Sequence, residues 1–297
     1  MIWNCRDYQV DLRNPIVMGI LNITPDSFSD GGKFFRSGSD EGSYEIDVNQ
    51  VLDIAHQMIQ DGAQIIDVGG ESTKPGAKPI DTKEELNRVL PVITALANEV
   101  SIPISVDTSK AEVAEKALIA GAAIVNDISG FRNDSQMSNV CFSYNAGVVL
   151  MHSTELPKEM KWSYEISQDA MNIISNVKSG LALSLTLAAQ IEKNRIVLDP
   201  GFGFSKSTES NFRILKGLRS LSDLGFPLLI GLSRKSFLGS AISVKPFDIP
   251  PSERDYATTA AHFFALQQGV KIIRSHHVKA ANDAIKVFRK LNEVTLT

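Results

Sequence analysis

Short apolar runs alternate with longer segments of helical periodicity along almost the whole chain of 297 residues. The runs are apolar and largely β-branched, which is typical of strands that are buried on both faces of a parallel sheet. Helical segments separate them, so the pattern predicts a (β/α)8 TIM barrel rather than an open doubly wound sheet. The predicted strands are 16–21, 64–68, 104–106, 123–125, 147–151, 195–198, 227–232 and 270–273.

The same pattern predicts a single barrel domain over residues 15–297, preceded by an N-terminal extension or hairpin at residues 1–14. Residues 31–48 are polar and rich in Gly, Ser and Asp, and they predict a long mobile loop. Thr82 and Ser109 each stand three residues before a glutamate, which predicts capping boxes at two helix starts. Five glycines each follow a helical pattern and precede a strand, so we expect them in the left-handed conformation that ends a helix; they are Gly62, Gly121, Gly147, Gly225 and Gly269.

Composition narrows the class of protein further. The formal net charge of −4 argues against non-specific binding of nucleic acid, which needs a basic surface. The longest apolar stretch is shorter than the roughly 20 residues that span a bilayer, and the first ten residues lack the apolar core of a signal peptide. Cys5 and Cys141 form no CxxC pair, so both are expected to be free thiols in a reducing compartment. We therefore expect a cytoplasmic protein without a membrane or nucleic-acid partner.

Nearly every predicted strand ends in a polar or charged residue. Any one of these is as readily a helix cap or a turn residue as a ligand. In a (β/α)8 barrel, however, the carboxyl ends of all strands converge on one pocket, which makes the joint pattern more informative than its members. The candidate site residues are Asn22, Asp107, Asn126, Asp199, Lys235, Arg274 and His276.

The residue types suit one kind of ligand. Asp107, Asn126 and Asp199 offer acceptors to a flat ring with an edge of N–H donors, such as an aminopyrimidinone, and Lys235 can donate to the ring's carbonyl or nitrogen acceptors. Arg274 and His276 are expected to supply positive charge and donors for a phosphate-type anion. Asn22 offers a neutral oxygen for Mg²⁺, which usually takes few protein ligands. No nucleophile–base–orienter triad is evident, which favours a reaction driven by positioning and leaving-group stabilisation.

Seven segments together resemble the dihydropteroate synthases, the sulfonamide-target enzymes of folate synthesis, in the right order over nearly the whole chain. They are 18–32 (MGILNITPDSFSDGG), 67–77 (DVGGESTKPGA), 104–110 (ISVDTSK), 126–130 (NDISG), 198–204 (LDPGFGF), 231–237 (GLSRKSF) and 274–278 (RSHHV).

The resemblance implies a homodimer that condenses (7,8-dihydropterin-6-yl)methyl diphosphate with 4-aminobenzoate, giving 7,8-dihydropteroate and diphosphate. It implies loops 23–35 and 72–79 that close over the site, and catalysis carried by Lys235, Arg274 and Asp199. The implied pterin ligands are Asp107, Asn126, Asp199 and Lys235. The other implied ligands are Asn22 for Mg²⁺; Arg274, His276 and Thr73 for the diphosphate; and Pro75, Phe204, Ser233, Arg234 and Ser236 at or near the aminobenzoate.

The chain departs from the usual family pattern in several places. Lys74 stands where arginine is usual, so the charge is kept but the bidentate fork is lost. Ser205 replaces a usual glycine, His277 replaces a usual aspartate, and the first loop has a longer tail at residues 35–46. Ser205 and His277 bear on local loop geometry rather than on the site residues themselves.

Other interpretations remain open at this point. Asp67 and Glu71 are candidate catalytic acids, but bracing roles are favoured because buried carboxylates are commonly paired. His152 is interpreted as a structural histidine, and adjacent His276 and His277 point opposite ways in an extended segment, which disfavours zinc.

Two alternative functions also fit parts of the pattern. A methyltetrahydrofolate–corrinoid methyltransferase would share the pterin pocket but would need neither the residue 22–32 loop nor the anion-binding groups. A non-catalytic paralogue should have lost some of Asn22, Asp107, Asp199, Lys235 or Arg274, and all of them are present.

Overall fold

The computed structural model describes residues 1–24, 35–37, 44–155, 159–166, 170–243, 245 and 249–295. The strands in these ranges are β1 (Ile2–Cys5), β2 (Tyr8–Asp11), β3 (Ile16–Asn22), β4 (Phe35–Ser37), β5 (Tyr44–Ile46), β6 (Ala63–Gly69), β7 (Ile104–Asp107), β8 (Ile124–Asp127), β9 (Gly147–Met151), β10 (Ile196–Asp199), β11 (Leu229–Ile230) and β12 (Ile272–Ser275). The helices are α1 (Val48–Gln60), α2 (Thr82–Glu99), α3 (Ala111–Ile119), α4 (Met137–Ser143), α5 (Ile173–Leu187), α6 (Thr208–Leu221), α7 (Ser236–Ile242), α8 (Asp255–Gln267) and α9 (Val278–Glu293).

Eight parallel strands of the described chain form one sheet in the order β10, β9, β8, β7, β6, β3, β12, β11. A parallel bridge between Leu198 and Leu228 brings the two ends of this sheet together, so the sheet closes into a barrel. The predicted (β/α)8 barrel is therefore confirmed. Each predicted strand begins and ends within two residues of the observed one, because burial on both faces leaves an unbroken apolar run in the sequence.

The N-terminal hairpin closes one end of the barrel. Strands β1 and β2 pair antiparallel, and Trp3, Val10 and Leu12 join the cluster of apolar side chains inside the barrel. The Trp3 Nε1–H donates to the carbonyl oxygen of Arg195 at 2.8 Å, which ties the hairpin to the segment before β10. Because the hairpin seals the amino-terminal end of the strands, the opposite end is left for a site.

Apolar side chains between the strands and the surrounding helices form a second, larger cluster. Helix α1 contributes Val51, Ala55 and Met58, spaced so that they share one face. None of the helices in the described part of the chain is both long and apolar enough to cross a membrane.

The two capping-box predictions are wrong. Asp81, not Thr82, caps helix α2: its carboxylate accepts a hydrogen bond from the Glu84 N–H at 2.8 Å. Helix α3 starts at Ala111 without a cap from Ser109, and the Ala111 N–H instead donates to the Asp134 carboxylate at 2.8 Å. At α2 a carboxylate and a hydroxyl are adjacent in the sequence and the backbone path decides which one reaches the free N–H groups, whereas at α3 the acceptor comes from Asp134, which is distant in the sequence.

Of the five glycines predicted to be left-handed, Gly62, Gly121, Gly225 and Gly269 have positive φ, and that prediction is confirmed for them. The prediction for Gly147 is wrong, since this residue begins β9. The left-handed residue before the strand is Asn145, with φ of 53°. Glycine is needed at position 147 for space, because a Cβ there would lie 2.4 Å from the Cys5 Sγ of the N-terminal hairpin.

The loop predicted over residues 31–48 is not without structure. Strands β4 and β5 pair antiparallel within it, with Phe35 opposite Ile46, and helix α1 begins at Val48. The remainder of that prediction, together with most of loop 23–35, lies outside the described residues.

Candidate active site

A cavity of about 470 Å³ opens at the carboxyl ends of the barrel strands. The structure brings the residues singled out in the sequence together here, from seven of the eight strand ends or the loops that follow them. They are Asn22, Thr73, Lys74, Pro75, Asp107, Asn126, Asp199, Phe204, Ser233, Arg234, Lys235, Ser236, Arg274 and His276.

The floor of the cavity carries two buried acids and an amide. Asp107 and Asp199 end strands β7 and β10, and Asn126 lies in β8. The Asn126 amide donates to Asp67 Oδ2 at 3.1 Å, and Asp199 Oδ1 accepts the Gly201 N–H at 2.7 Å. These bonds fix the orientation of both side chains, which present acceptors to the cavity.

Burial shifts the protonation of the groups that meet here. Desolvation raises the pKa of Asp199 to about 6, while the Gly201 N–H and nearby Lys235 act in the opposite direction. Desolvation, and after it the nearby Arg274, lower the pKa of Lys235 to about 8 against the opposing effect of the carboxylates of Asp199 and Asp107. Both groups are therefore charged near neutral pH, and each lies within about two pH units of losing its charge.

Arg274 is hydrogen-bonded to two buried carboxylates, which the expected role in anion binding does not by itself require. Its Nε–H donates to Asp67 Oδ2 at 2.5 Å and its Nη2–H donates to Asp107 Oδ2 at 2.6 Å. Burial alone would lower the pKa of Arg274, but these two carboxylates outweigh it and raise the pKa. Burial raises the pKa of Asp107, which the guanidinium opposes. Arg274 thus joins the side of the cavity that was predicted to bind an anion to the side that was predicted to bind a ring.

The positive charge expected on His276 is contradicted. Desolvation and the neighbouring cations Arg274, Arg234, Lys235 and Lys74 hold its pKa well below the usual 6.5, so the ring is neutral. The Ser233 Oγ accepts the backbone N–H of His276 at 3.2 Å and lies 3.0 Å from its Nδ1. If the hydroxyl donates to Nδ1, the ring's remaining proton is on Nε2. His276 then serves as a neutral hydrogen-bond donor.

Phe204 forms part of the wall beside Lys235, whose Nζ lies 4.4 Å from the centre of the phenyl ring. This is a cation–π contact. Phe204 and Ser205 both have left-handed backbone, with φ of 28° and 56°. Ser205 adopts the conformation for which glycine is favoured, and its hydroxyl donates a short hydrogen bond to Glu155. The serine in place of the usual glycine is thereby accommodated without rebuilding the loop.

The loop after β6 is anchored by a buried cluster of charges. The Lys110 ammonium contacts Glu71 Oε2 and Glu85 Oε2, each at 2.5 Å, and Glu71 Oε1 accepts the Ile80 N–H at 3.1 Å. Glu71 therefore joins the two ends of the loop that carries Thr73. This geometry agrees with the bracing role favoured for Glu71, and Asp67 pairs with Arg274 beneath the cavity.

Arg234 is also partly committed within the protein. Its guanidinium makes a two-pronged ion pair with Asp255, with Nε–Oδ1 at 2.8 Å and Nη2–Oδ2 at 2.9 Å. Arg254 donates to the carbonyl oxygens of Arg234 and Ile249, so it braces this wall rather than simply starting helix α8.

The two remaining histidines of the motifs have local roles. His277 caps helix α9, because its Nδ1 accepts the Ala280 N–H at 3.1 Å, so the residue that replaces the usual aspartate has a local role at the start of this helix. His152 is buried with its ring against Gly180 and lies outside the cavity wall. Among the residues that the structure describes, His, Cys, Asp and Glu side chains form no cluster of three or more that would suit a metal.

Two wall segments were missed by sequence reasoning. Met160, Trp162 and Tyr164 form one side of the cavity, with the two aromatic rings stacked 6.3 Å apart. Ile249 and Pro250 contribute a neighbouring part. Neither segment follows a strand directly or carries a distinctive motif. The only signal in the sequence was the presence of aromatic residues in the first segment, which is otherwise largely polar.

Comparison with known proteins agrees with this geometry. A family model described as "Pterin binding enzyme" matches residues 18–276. The dihydropteroate synthase of Streptococcus pyogenes serotype M6 is 41% identical over 278 residues, covering 94% of this chain and 96% of its own. A Yersinia pestis dihydropteroate synthase solved as a sulfonamide drug complex matches with a TM-score of 0.86 and 36% identity, covering 99% of this chain and 100% of its own.

A third match is the dihydropteroate synthase of Xanthomonas albilineans, solved in complex with 7,8-dihydropteroate. Its TM-score is 0.82 and its identity 33%, over 99% of this chain and 100% of its own. The likeness extends over the strands and loops that build the cavity. The chain belongs, together with these dihydropteroate synthases, to the family of pterin-binding enzymes.

Proposed function

We propose that this chain is a dihydropteroate synthase, a transferase that joins (7,8-dihydropterin-6-yl)methyl diphosphate to 4-aminobenzoate and releases diphosphate. The observation that carries the proposal is the arrangement of Asp107, Asn126, Asp199 and Lys235 around one buried cavity. Acceptors from three strands suit the amino and N–H edge of a pterin, and the ammonium suits its carbonyl or ring nitrogen.

The reaction needs positioning and charge stabilisation more than covalent chemistry. The bond between the exocyclic methylene carbon and the diphosphate oxygen breaks, and its electron pair leaves on the diphosphate. The aromatic amine then forms the new carbon–nitrogen bond and loses one proton. Fixed charges in a cavity that excludes water stabilise such charge separation far better than water does.

The leaving diphosphate would lie on the side of Arg274 and His276. Arg274 carries a full charge, held in place by Asp67 and Asp107. His276 contributes an N–H rather than a charge, so positive charge near the diphosphate would come from the neighbouring cations Arg274, Arg234, Lys235 and Lys74. Arg274 then belongs both to the pterin contacts and to the diphosphate contacts. Binding of one half of the substrate is therefore expected to affect binding of the other half.

A Mg²⁺ ion fits this arrangement as a companion of the substrate. Asn22 lies on the cavity wall with its Oδ1 above Gly69, where an added Cβ would come within 3.2 Å of that oxygen. One neutral amide oxygen is a donor of the kind that Mg²⁺ accepts when phosphate oxygens and water complete its shell. When bound there, the ion would neutralise charge that develops on the leaving diphosphate.

The 4-aminobenzoate would enter on the outer side, between Phe204 and the loop that carries Thr73 and Pro75. Ser233, Arg234 and Ser236 line or neighbour the same part of the cavity. We extend the sulfonamide-target assignment of the Yersinia pestis enzyme to this chain on the same grounds. Localisation in the cytoplasm stays a prediction.

Assembly into a homodimer is part of the same proposal. Helix α9 leaves Val287, Leu291 and, just after its end, Val294 exposed on successive turns. An outward apolar stripe of this kind is the surface that a second copy of the chain would cover.

An assay of diphosphate release with both substrates and Mg²⁺ tests the proposal against its rivals. A synthase releases diphosphate only when 4-aminobenzoate is present. A methyltransferase of the pterin-binding group, or a protein that merely binds pterin, would release none under these conditions. Absence of release from folded protein that binds the pterin diphosphate would therefore refute the proposal.

A further inference from the structure

The wall beside Lys235 is formed by a short loop, residues 200–207, which we term the Phe204 loop. Its backbone is unusual, because Gly203, Phe204 and Ser205 are three successive left-handed residues. Two of them carry side chains, and such conformations persist only when the surrounding structure imposes them. The hydrogen bonds that impose this shape, which we term the ties of the loop, therefore also determine where the Phe204 ring lies.

One side chain makes most of these ties. Asn211, in the first turn of helix α6, is fully buried, and its Oδ1 accepts the Gly203 N–H at 2.7 Å. Its Nδ2 donates to the carbonyl oxygens of Lys206 and Ser207 at 2.9 and 2.8 Å. The amide thus holds the loop on both sides of Phe204, and both of its N–H hydrogens are used within the loop.

Lys206 supplies a second tie to the same loop. Its side chain is almost completely buried, and its ammonium donates to the carbonyl oxygens of Gly201 and His152 at 2.6 and 3.1 Å. Gly201 is also bound through its N–H to the pterin-side acid Asp199. The start of the loop is therefore fastened to the ends of β9 and β10, and Asn211 fastens the rest.

Asn211 also lies against the opposite part of the cavity wall. The Ser163 Oγ is 3.3 Å from Asn211 Nδ2, and Ser163 is flanked by the stacked rings of Trp162 and Tyr164. One buried amide hence contacts both the Phe204 loop and the aromatic segment that faces the same cavity.

We propose that Asn211 is a positioning residue: it fixes the Phe204 loop so that the phenyl ring lies beneath the ammonium of Lys235 and completes the aminobenzoate side of the cavity. The proposal rests on the proposed function for the identity of that substrate. Asn211 does not line the cavity in the described structure, so its effect must pass through Phe204.

The first test compares Asn211→Ser with Asn98→Ser, a matched change at an exposed helical asparagine. We expect the KM for 4-aminobenzoate to rise roughly tenfold in Asn211→Ser, because misplacement of a wall by a fraction of an ångström weakens a positioned substrate. The affinity for bare pterin should stay within about threefold, since its ligands lie mainly on strand ends. An unchanged KM, or an equal loss of pterin affinity, would overturn the proposal.

A double variant separates positioning from general destabilisation. If Asn211 acts through Phe204, adding Asn211→Ser to Phe204→Ala should leave the KM of the single Phe204→Ala variant nearly unchanged. Multiplication of the two effects would contradict this route. Should Asn211→Ser fold poorly, Lys206→Met removes the second tie, and the same dependence on Phe204 is expected.

Hydrogen exchange keeps this proposal distinct from the proposed function. In Asn211→Ser, the amide of Gly203 should exchange at least about tenfold faster than in Asn98→Ser, with or without substrate. Faster exchange in a protein without synthase activity would support the loop tie and refute only the function. Unchanged exchange at Gly203 would refute the loop tie even in an active enzyme.

Discussion

At the scale of single residues, burial decides what each group of the cavity does. Asp199 and Lys235 were identifiable as candidates because they follow predicted strands. Their protonation was not, because it depends on how much water the folded chain removes. His276 illustrates the difference most clearly: the sequence indicated a cation, but burial, together with the neighbouring cations Arg274, Arg234, Lys235 and Lys74, lowers its pKa and keeps the ring neutral.

Two of the groups with shifted pKa values, Asp199 and Lys235, predict a pH dependence for pterin binding. Protonation of Asp199 turns one of its acceptor oxygens into a donor and removes its negative charge, so affinity for an N–H edge should fall as the pH drops below about 6, the pKa of its carboxyl. Lys235 loses its charge as the pH rises above about 8, so affinity should fall there too. Calorimetry with bare pterin, which has no phosphate to titrate, should give a bell-shaped profile between these limits.

Single variants show which group causes the loss of affinity on each side of this pH profile. Asp199→Asn should flatten the acidic limb and Lys235→Met the alkaline limb, each with weaker binding at the optimum. A profile that stays flat from pH 5 to pH 9 in the unaltered protein would show that neither group titrates in contact with the pterin.

At the scale of elements, strands were more predictable than helix ends. Strands such as β3 and β9 are predicted from continuous apolar runs. Such a run indicates a strand that is buried on both faces, whichever elements cover it. Caps depend on which of several adjacent polar residues reaches the helix. Asp81 and Thr82 are both good capping residues, and only the backbone path selects Asp81.

Helix α2 therefore offers a direct comparison of adjacent residues. Asp81→Ala should lower the free energy of unfolding by about 1 kcal/mol, since it leaves a helix N–H without its acceptor. Thr82→Ala should change it by less than about 0.5 kcal/mol. Urea denaturation of both variants measures the difference, and a larger loss for Thr82→Ala would contradict the assigned cap.

The charged cluster beneath the Thr73 loop is a second element whose role was only partly visible in the sequence. Glu71 was interpreted as a brace, but its partners Lys110 and Glu85 come from separate helical segments and were not linked to it. The segment at residues 159–166 was missed entirely, because no periodicity or motif distinguishes a wall-forming connection from any other loop.

Lys110→Met should destabilise the fold and loosen the loop. Glu85 is completely buried, and removal of its cation is expected to cost about 3 kcal/mol of unfolding free energy. The KM for 4-aminobenzoate should rise as well, because Glu71 no longer holds the loop ends together. Lys116→Met, at an exposed position on helix α3, which Lys110 immediately precedes, is the matched control. Equal behaviour of the two variants in denaturation and kinetics would argue against the brace.

At the scale of the whole molecule, the barrel is closed at one end by the hairpin β1–β2 and carries its chemistry at the other. The sequence supported this polarity, because its polar residues cluster after strands rather than before them. It did not indicate which helices face a partner. In the structure Phe263 packs against Phe288 and Leu266 is buried, which leaves Phe264 as the exposed one of these three residues of α8.

The exposed stripe predicts the oligomeric state. We expect sedimentation at micromolar concentration to give a dimer for the unaltered chain and a monomer for Val287→Asp combined with Leu291→Asp, since two carboxylates would be buried in the contact. Arg289→Asp, at an exposed position between them on α9, is expected to alter the equilibrium less. A monomeric unaltered chain would refute the dimer.

The most direct test of the account is a single-turnover measurement of 7,8-dihydropteroate by mass spectrometry. Excess enzyme is mixed with the pterin diphosphate, 4-aminobenzoate and Mg²⁺, and compared with Asp199→Asn and Lys235→Met variants of unchanged melting temperature. The account predicts rapid formation of the product by the unaltered chain and rates at least about a hundredfold lower in both variants. Failure of the folded, unaltered chain to form the product, or unaltered rates in the variants, would contradict it.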